Sequence, residues 1–151
     1  SFIYGDVINY ENNNEIDMVI SLHSCNTATD IAILKALGWN AKVFFAVPCC
    51  QKEINSQLGN EFLPFMLKHG IIKEKFSTLL TDSIRSEVLE AFGYKSDIVE
   101  FISEENTPKN QLIRAYKTST KLDKEKIKQI EKFTSSLNIK MFLLDEVAKL
   151  I

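Results

Sequence analysis

Two apolar runs, each ending in a cluster of reactive polar residues, constrain the fold of this chain most. Asp17-Met-Val-Ile-Ser-Leu22 runs into His23-Ser-Cys-Asn-Thr27, and Ala41-Lys-Val-Phe-Phe-Ala-Val47 runs into Pro48-Cys-Cys-Gln51. The segment between them reads as a helix. Asn26 or Thr27 can cap it, Thr27-x-x-Asp30 loosely follows the capping-box pattern, and Gly38 stands where a helix terminates. Strand, helix, strand is the unit of a parallel α/β sheet, and its right-handed crossover sets both strand carboxyl ends at one edge. Ligands of open sheets bind beyond those ends, so the two clusters mark the expected site. Residues 41–47 are apolar almost throughout, which predicts a central strand covered on both faces.

The rest of the chain extends this pattern. With 151 residues, 45% of them apolar, it can form one core, and one domain is expected. A net charge of −2 gives no global case for nucleic-acid binding but leaves a local basic face open. Three cysteines, two of them adjacent, are no disulfide framework, and no segment resembles a signal peptide or a membrane span; a reducing cytoplasm and no membrane partner are expected. Residues 2–8 read as a strand end and turn, and Glu11-Asn-Asn-Asn-Glu15 as a loop. From Gln51 to His69 the helical pattern is interrupted at Gly59 and Pro64, with Phe62, Phe65 and Met66 on one face and Gly70 as terminator. Phe76, Leu79, Leu80, Ile84, Val88 and Phe92 predict an amphipathic helix over 73–92, capped by Gly93. Residues 94–102 and 111–116 read as strands whose short connection makes them antiparallel. A charged helix over 123–137 turns Ile127, Ile130, Phe133 and Leu137 inward, and a shorter apolar helix follows over 141–151.

Ser21-Leu-His-Ser-Cys-Asn-Thr-Ala-Thr-Asp30, Val47-Pro-Cys-Cys-Gln51, His69-Gly-Ile71, Leu80-Thr-Asp82 and Asn106-Thr-Pro-Lys-Asn110 carry a resemblance. On this α/β pattern they resemble the methyltransferase-domain family that includes eukaryotic tRNA 2′-O-methyltransferases, over roughly residues 2–116. The fold implied is the carboxyl-terminal half of the Rossmann-like class I methyltransferase fold, with parallel strands and an antiparallel final pair. Residues 1–118 would form that part of the domain and 119–151 a helical extension packed on it. The resemblance implies S-adenosyl-L-methionine as cofactor and RNA as substrate. It sets Asp6 and Val7 beside the adenine, where a carboxylate accepts from the amine and a backbone N–H reaches a ring nitrogen. Ser21 and Leu22 join them on the cofactor side. Asn26, Asp30, Lys109 and Asn110 fall on the substrate side, with helix capping and a solvated turn as the plainer readings. Lys52, Lys73 and Lys75 extend a basic rim.

The five glycines, at 5, 38, 59, 70 and 93, form no G-x-G loop to let backbone approach the cofactor. The expectation is therefore a half-domain that binds S-adenosylmethionine feebly, self-associates, or folds residues 2–10 over an exposed strand edge. Within the clusters, His23 is the candidate general base for a hydroxyl nucleophile, with a hydrogen-bonding structural role as the alternative. Cys25, Cys49 and Cys50 admit three readings: a covalent nucleophile, zinc ligands together with His23, or packing. Adjacent cysteines alternate sides along a strand, which argues for packing and against metal. A non-catalytic Rossmann-like binding module is the reading from another class.

Overall fold

The computed structural model describes residues 3–12, 14–59, 61, 63–102 and 110–151. Strand β1 (Met18–Leu22), helix α1 (Thr27–Gly38) and strand β2 (Val43–Val47) make the expected crossover, and the two strands run parallel with Met18 opposite Val43 and Leu22 opposite Val47. Helices α2 (Lys52–Gln57), α3 (Pro64–Leu67) and α4 (Gly70–Ala91) lead to strands β3 (Tyr94–Glu100) and β4 (Gln111–Lys117). β4 inserts between β2 and β3, antiparallel to both, which gives a four-stranded sheet of order β1-β2-β4-β3 among the described residues. Helices α5 (Lys124–Ser136) and α6 (Phe142–Val147) pack on α4 and α1 respectively. The chain is thus a mixed α/β domain with both expected strand pairings.

One sheet face carries the core. Phe44, Ala46, Ile113 and Ala115 are fully buried on it. From β3 on the same face, the Tyr94 hydroxyl donates to the Ala41 carbonyl at 2.7 Å, tying β3 to the turn before β2. At the α4–β3 junction Gly93 takes φ +84°, and a Cβ there would lie 2.2 Å from the Ser119 carbonyl oxygen, so only glycine fits.

The opposite face departs from expectation. Met18, Ile20 and Leu22 stand 47%, 57% and 61% exposed on it, and Phe45 meets the exposed Tyr116 edge-on at 5.9 Å. β2 is central in the sheet, yet on this face Val43 and Phe45 are only partly buried and Val47 alone is closed off. Residues 3–10 do not flank β1 either. They form a bend and a 3-10 turn (Val7–Asn9) that packs on α1, where Lys35 donates to the Tyr10 carbonyl at 2.8 Å and Tyr10 packs edge-on against Trp39.

Other corrections concern helix faces. Gly70 opens α4 instead of ending a helix, because its backbone is helical and His69 before it is extended. In α3 it is Leu67 that points inward, whereas Phe65 and Met66 are exposed. Leu79 is exposed on α4, whose inner face instead includes Ser77, Thr81, Asp82 and Arg85. On α5 the buried stripe is Ile127, Ile130 and Thr134, and Phe133 lies beside it, half exposed. Phe62 and the 103–109 connection, with Lys109, lie outside the described residues.

Candidate active site

The loops that follow β1 and β2 meet at one edge of the sheet. The first is tightly wound: His23 has φ +54°, and Asn26 has φ +50° with ψ −120°, positions that L-residues rarely occupy. Such a conformation persists only where its surroundings fix it. Here they do. Ser21 Oγ donates to Ser24 Oγ at 2.7 Å, and Thr29 Oγ1 donates to the Ser24 carbonyl at 2.7 Å. The Asn26 N–H donates to the Cys50 carbonyl at 3.1 Å, and its Oδ1 accepts from the Glu53 N–H at 3.1 Å. Asn26 therefore caps the neighbouring helix α2, not α1, and stitches the two loops together.

Behind the loops lies a buried charged cluster. Arg85 is 1% exposed; its Nε donates to Asp30 Oδ1 at 2.7 Å, its Nη1 to Asp82 Oδ1 at 2.9 Å, and its Nη2 to the Asn26 carbonyl at 2.8 Å. Gln51 joins from the second loop, its Nε2 donating to Asp82 Oδ2 at 3.0 Å while Thr78 Oγ1 donates to its Oε1 at 3.3 Å. Burial raises the Asp82 carboxyl above its ordinary value against the opposing pull of Arg85 and Gln51. Burial works to lower Arg85, but Asp30 and Asp82 outweigh it and hold the guanidinium above its ordinary value. Asp30 does not complete a capping box: its carboxylate turns to Arg85, and Oδ2 is buried without a hydrogen-bond partner among the described residues.

In front of this cluster three thiols converge. The Sγ atoms of Cys25, Cys49 and Cys50 lie within 4.8 Å of one another, with Cys25 and Cys49 at 3.1 Å. The alternation argument does not apply to Cys49 and Cys50, because β2 ends at Val47 and both follow Pro48 in irregular backbone. Cys25 is exposed, and hydrogen bonds from Cys49 and Cys50, with a smaller contribution from Lys52, lower its thiol; the bond to Cys25 together with burial raises Cys49. A cleft of about 350 Å³ opens beside Cys49 and Cys50, lined also by Lys52, Asn55 and Thr78.

The other expected site residues divide. His23 is exposed in the same loop as Cys25. Leu22 is exposed, but Ser21 is 6% exposed and its hydroxyl is engaged with Ser24, leaving only its backbone for a ligand. Asp30 and Asn110 are buried, and the Asn110 amide donates to the Ile102 carbonyl at 2.9 Å, closing the base of the β3–β4 connection. Neither side chain offers a polar group to a substrate at the surface. Asp6 and Val7 border a separate cleft of about 630 Å³ formed by residues 3–10, and Asp6 Oδ1 already accepts from the Ile8 N–H at 3.1 Å. That segment is anchored by Tyr10 at the last turns of α1. A helix of 12 residues spans about 18 Å, so this anchor sits at the other end of α1 from Asn26.

Sequence reasoning missed Arg85 and the positioning roles of Gln51 and Asp82. The available signal was a charged residue on the inner face of α4, one turn from Thr81 and Val88, with an acidic residue three positions before it.

Residues 1–57 match the model of a family described as a methyltransferase domain. The matched stretch holds β1, α1, β2, α2 and all three cysteines, and it supports a methyltransferase domain. No curated protein and no solved structure matches the chain. No helix among the described residues is long and apolar enough to cross a membrane.

Proposed function

We propose that this chain carries the substrate-side half of an S-adenosylmethionine-dependent methyltransferase acting on RNA, in a Rossmann-like class I framework. The observation that carries this reading is the meeting of the two strand-end loops at one edge of a parallel pair, inside the stretch that matches a methyltransferase domain. The order β1-β2-β4-β3, with β4 reversed, supports the same reading.

The cofactor fits this chain in part. Leu22 and the Ser21 backbone remain open to it at the strand end, whereas Asp6 and Val7 belong to the segment anchored at the other end of α1, and no glycine-rich loop lies within these 151 residues. When bound, the cofactor would supply a methyl group on a sulfonium centre. The chain's own task is then to hold an RNA hydroxyl in line and remove its proton. His23, exposed at the strand end and set in a wound loop, is the group for that proton. Lys52 supplies positive charge beside the cleft for a phosphate.

The test is transfer of isotope-labelled methyl groups to RNA, protein and small-molecule fractions by the protein containing this sequence joined to a glycine-rich cofactor half. Label in RNA is expected, and His23→Ala should lower it about 10²–10⁴-fold with little change in cofactor affinity. Label in protein or small molecules alone overturns the RNA assignment, and unchanged turnover in His23→Ala assigns the histidine to structure. Calorimetry on residues 1–151 alone should show no millimolar-or-better cofactor binding; tight binding would overturn the half-site reading.

A further inference from the structure

Methyl transfer to a hydroxyl leaves Cys25, Cys49 and Cys50 without a task, yet their placement is the most specific feature of the strand-end edge. We propose that these three residues form a three-thiolate site for a thiophilic d¹⁰ cation, zinc(II), with its fourth position open to solvent. This goes beyond the methyl-transfer reading and does not depend on it.

The geometry is that of a small soft cavity. A zinc–sulfur bond of about 2.3 Å in a tetrahedron sets sulfurs about 3.8 Å apart. The Cys25 and Cys49 Sγ atoms lie 3.1 Å apart and all three lie within 4.8 Å of one another, a range that includes that value. Cys49 and Cys50 reach the same side because Pro48 ends the strand before them.

The support behind the ligands matters as much, because residues that fix ligand loops tune metal affinity. Cys25 lies one residue before Asn26 and Cys50 one residue before Gln51. Asn26 N–H holds the Cys50 carbonyl directly, Arg85 holds the Asn26 carbonyl, and Gln51 is held through Asp82 to that same arginine. One buried guanidinium thus stiffens both loops and makes the sulfur cluster pre-organised. Cys25 is exposed, so the fourth side of the tetrahedron faces water. Three protein ligands with one open position is the pattern of zinc sites that bind an exchangeable donor, whereas purely structural sites are closed. On binding, the thiol protons pass to solvent and the sulfurs coordinate as thiolates; no redox change accompanies the step.

The chain, reduced and freed of metal under anaerobic conditions, is titrated with cobalt(II), followed by displacement with zinc(II) in competition with a chromophoric chelator. Expected are one ion per chain, a thiolate-to-cobalt absorption band of three-thiolate intensity, and zinc affinity lowered at least about 100-fold in each of Cys25→Ser, Cys49→Ser and Cys50→Ser, beyond the loss typical of outer residues. Circular dichroism and melting of the metal-free variants establish that they fold as the parent does. Because the stoichiometry and spectrum are read on the unmodified chain, a variant that fails to fold leaves the test intact. Absence of binding by the reduced chain, a band of one-thiolate intensity, or a folded Cys50→Ser variant with parental affinity overturns the proposal. So does a chain that forms only a Cys25–Cys49 disulfide in air and takes no zinc when reduced.

Discussion

Arg85 Nη2 donates to the carbonyl oxygen of Asn26 at 2.8 Å, across 59 positions of sequence, and so couples the buried face of α4 to a residue of the site loop held at positive φ. The same guanidinium also pairs with both Asp30 and Asp82. Removing it therefore leaves two buried carboxylates facing each other and a carbonyl without a donor. Arg85→Met should cost about 3–5 kcal/mol of unfolding free energy, read by urea denaturation, as expected for one member taken out of a buried ion cluster. Adding Asp30→Asn and Asp82→Asn to that variant should recover part of the loss. A loss below about 1 kcal/mol in the single variant would show that the cluster carries no net charge stabilisation.

Asn26 combines an unusual backbone with a capping side chain. Asn26→Ala loses the acceptor for the Glu53 N–H and keeps a Cβ at φ +50° and ψ −120°, whereas Asn26→Gly loses the acceptor but sheds the Cβ strain that the asparagine already carries. Loss of the cap is worth about 0.5–2 kcal/mol, and the backbone strain about 1–3 kcal/mol. The glycine variant should therefore be the more stable by about 1 kcal/mol, measured by paired thermal or urea melts. Equal stability would show that the loop relaxes to an ordinary conformation.

These two residues show what the sequence made legible. The apolar runs announced β1, β2 and their parallel pairing, because two strands joined through a helix pair as a crossover unit. Gly93 announced its own cap, because φ +84° against Ser119 admits nothing else. Arg85 was opaque for a physical reason: Asp82-x-x-Arg85 on a helix reads as a solvated ion pair, and only the distant Asp30 and Asn26 make it a buried hub. The thiol cluster was opaque because strand alternation was carried past Pro48, beyond the point where the strand stops. Phe133 and Leu79 were placed inward on spacing alone, although polar Thr134 and Thr81 take the buried positions by donating back to carbonyls of their own helix.

Asp82 supplies a pH signature. Its carboxyl is raised above the ordinary value by burial, so the folded chain holds that proton more tightly than the unfolded chain does. Between the unfolded value of about 3.9 and the raised folded value, the native state binds more protons, and this contribution to stability falls as pH rises through the window. Glu53, raised by burial as well, acts in the same direction. The stability difference between the parent chain and Asp82→Asn, followed by urea melts at increasing pH, should move against the parent through this window. A difference that stays flat would remove Asp82 from the titrating set.

The open side of the sheet yields the last prediction. β1 is an edge strand, with no strand paired on its outer side among the described residues, so its outward backbone groups lack a sheet partner. Beside that edge, Met18, Ile20 and Leu22 stand exposed in a row, continuous with Phe45 and Tyr116 on the same face. A bare edge next to an apolar face is a template for strand addition, and charged side chains are how proteins usually block it. Residues 3–10, expected from the sequence to cover this edge, are held on α1 through Lys35 and Trp39. The chain should therefore self-associate in a concentration-dependent way, seen by light scattering as a mass above that of one chain. Ile20→Lys should shift the mass toward monomer without lowering the melting temperature, since Ile20 is already 57% exposed. A monomeric mass at every concentration would show that the edge is protected by something other than pairing, and an unchanged oligomer in Ile20→Lys would move the contact away from β1.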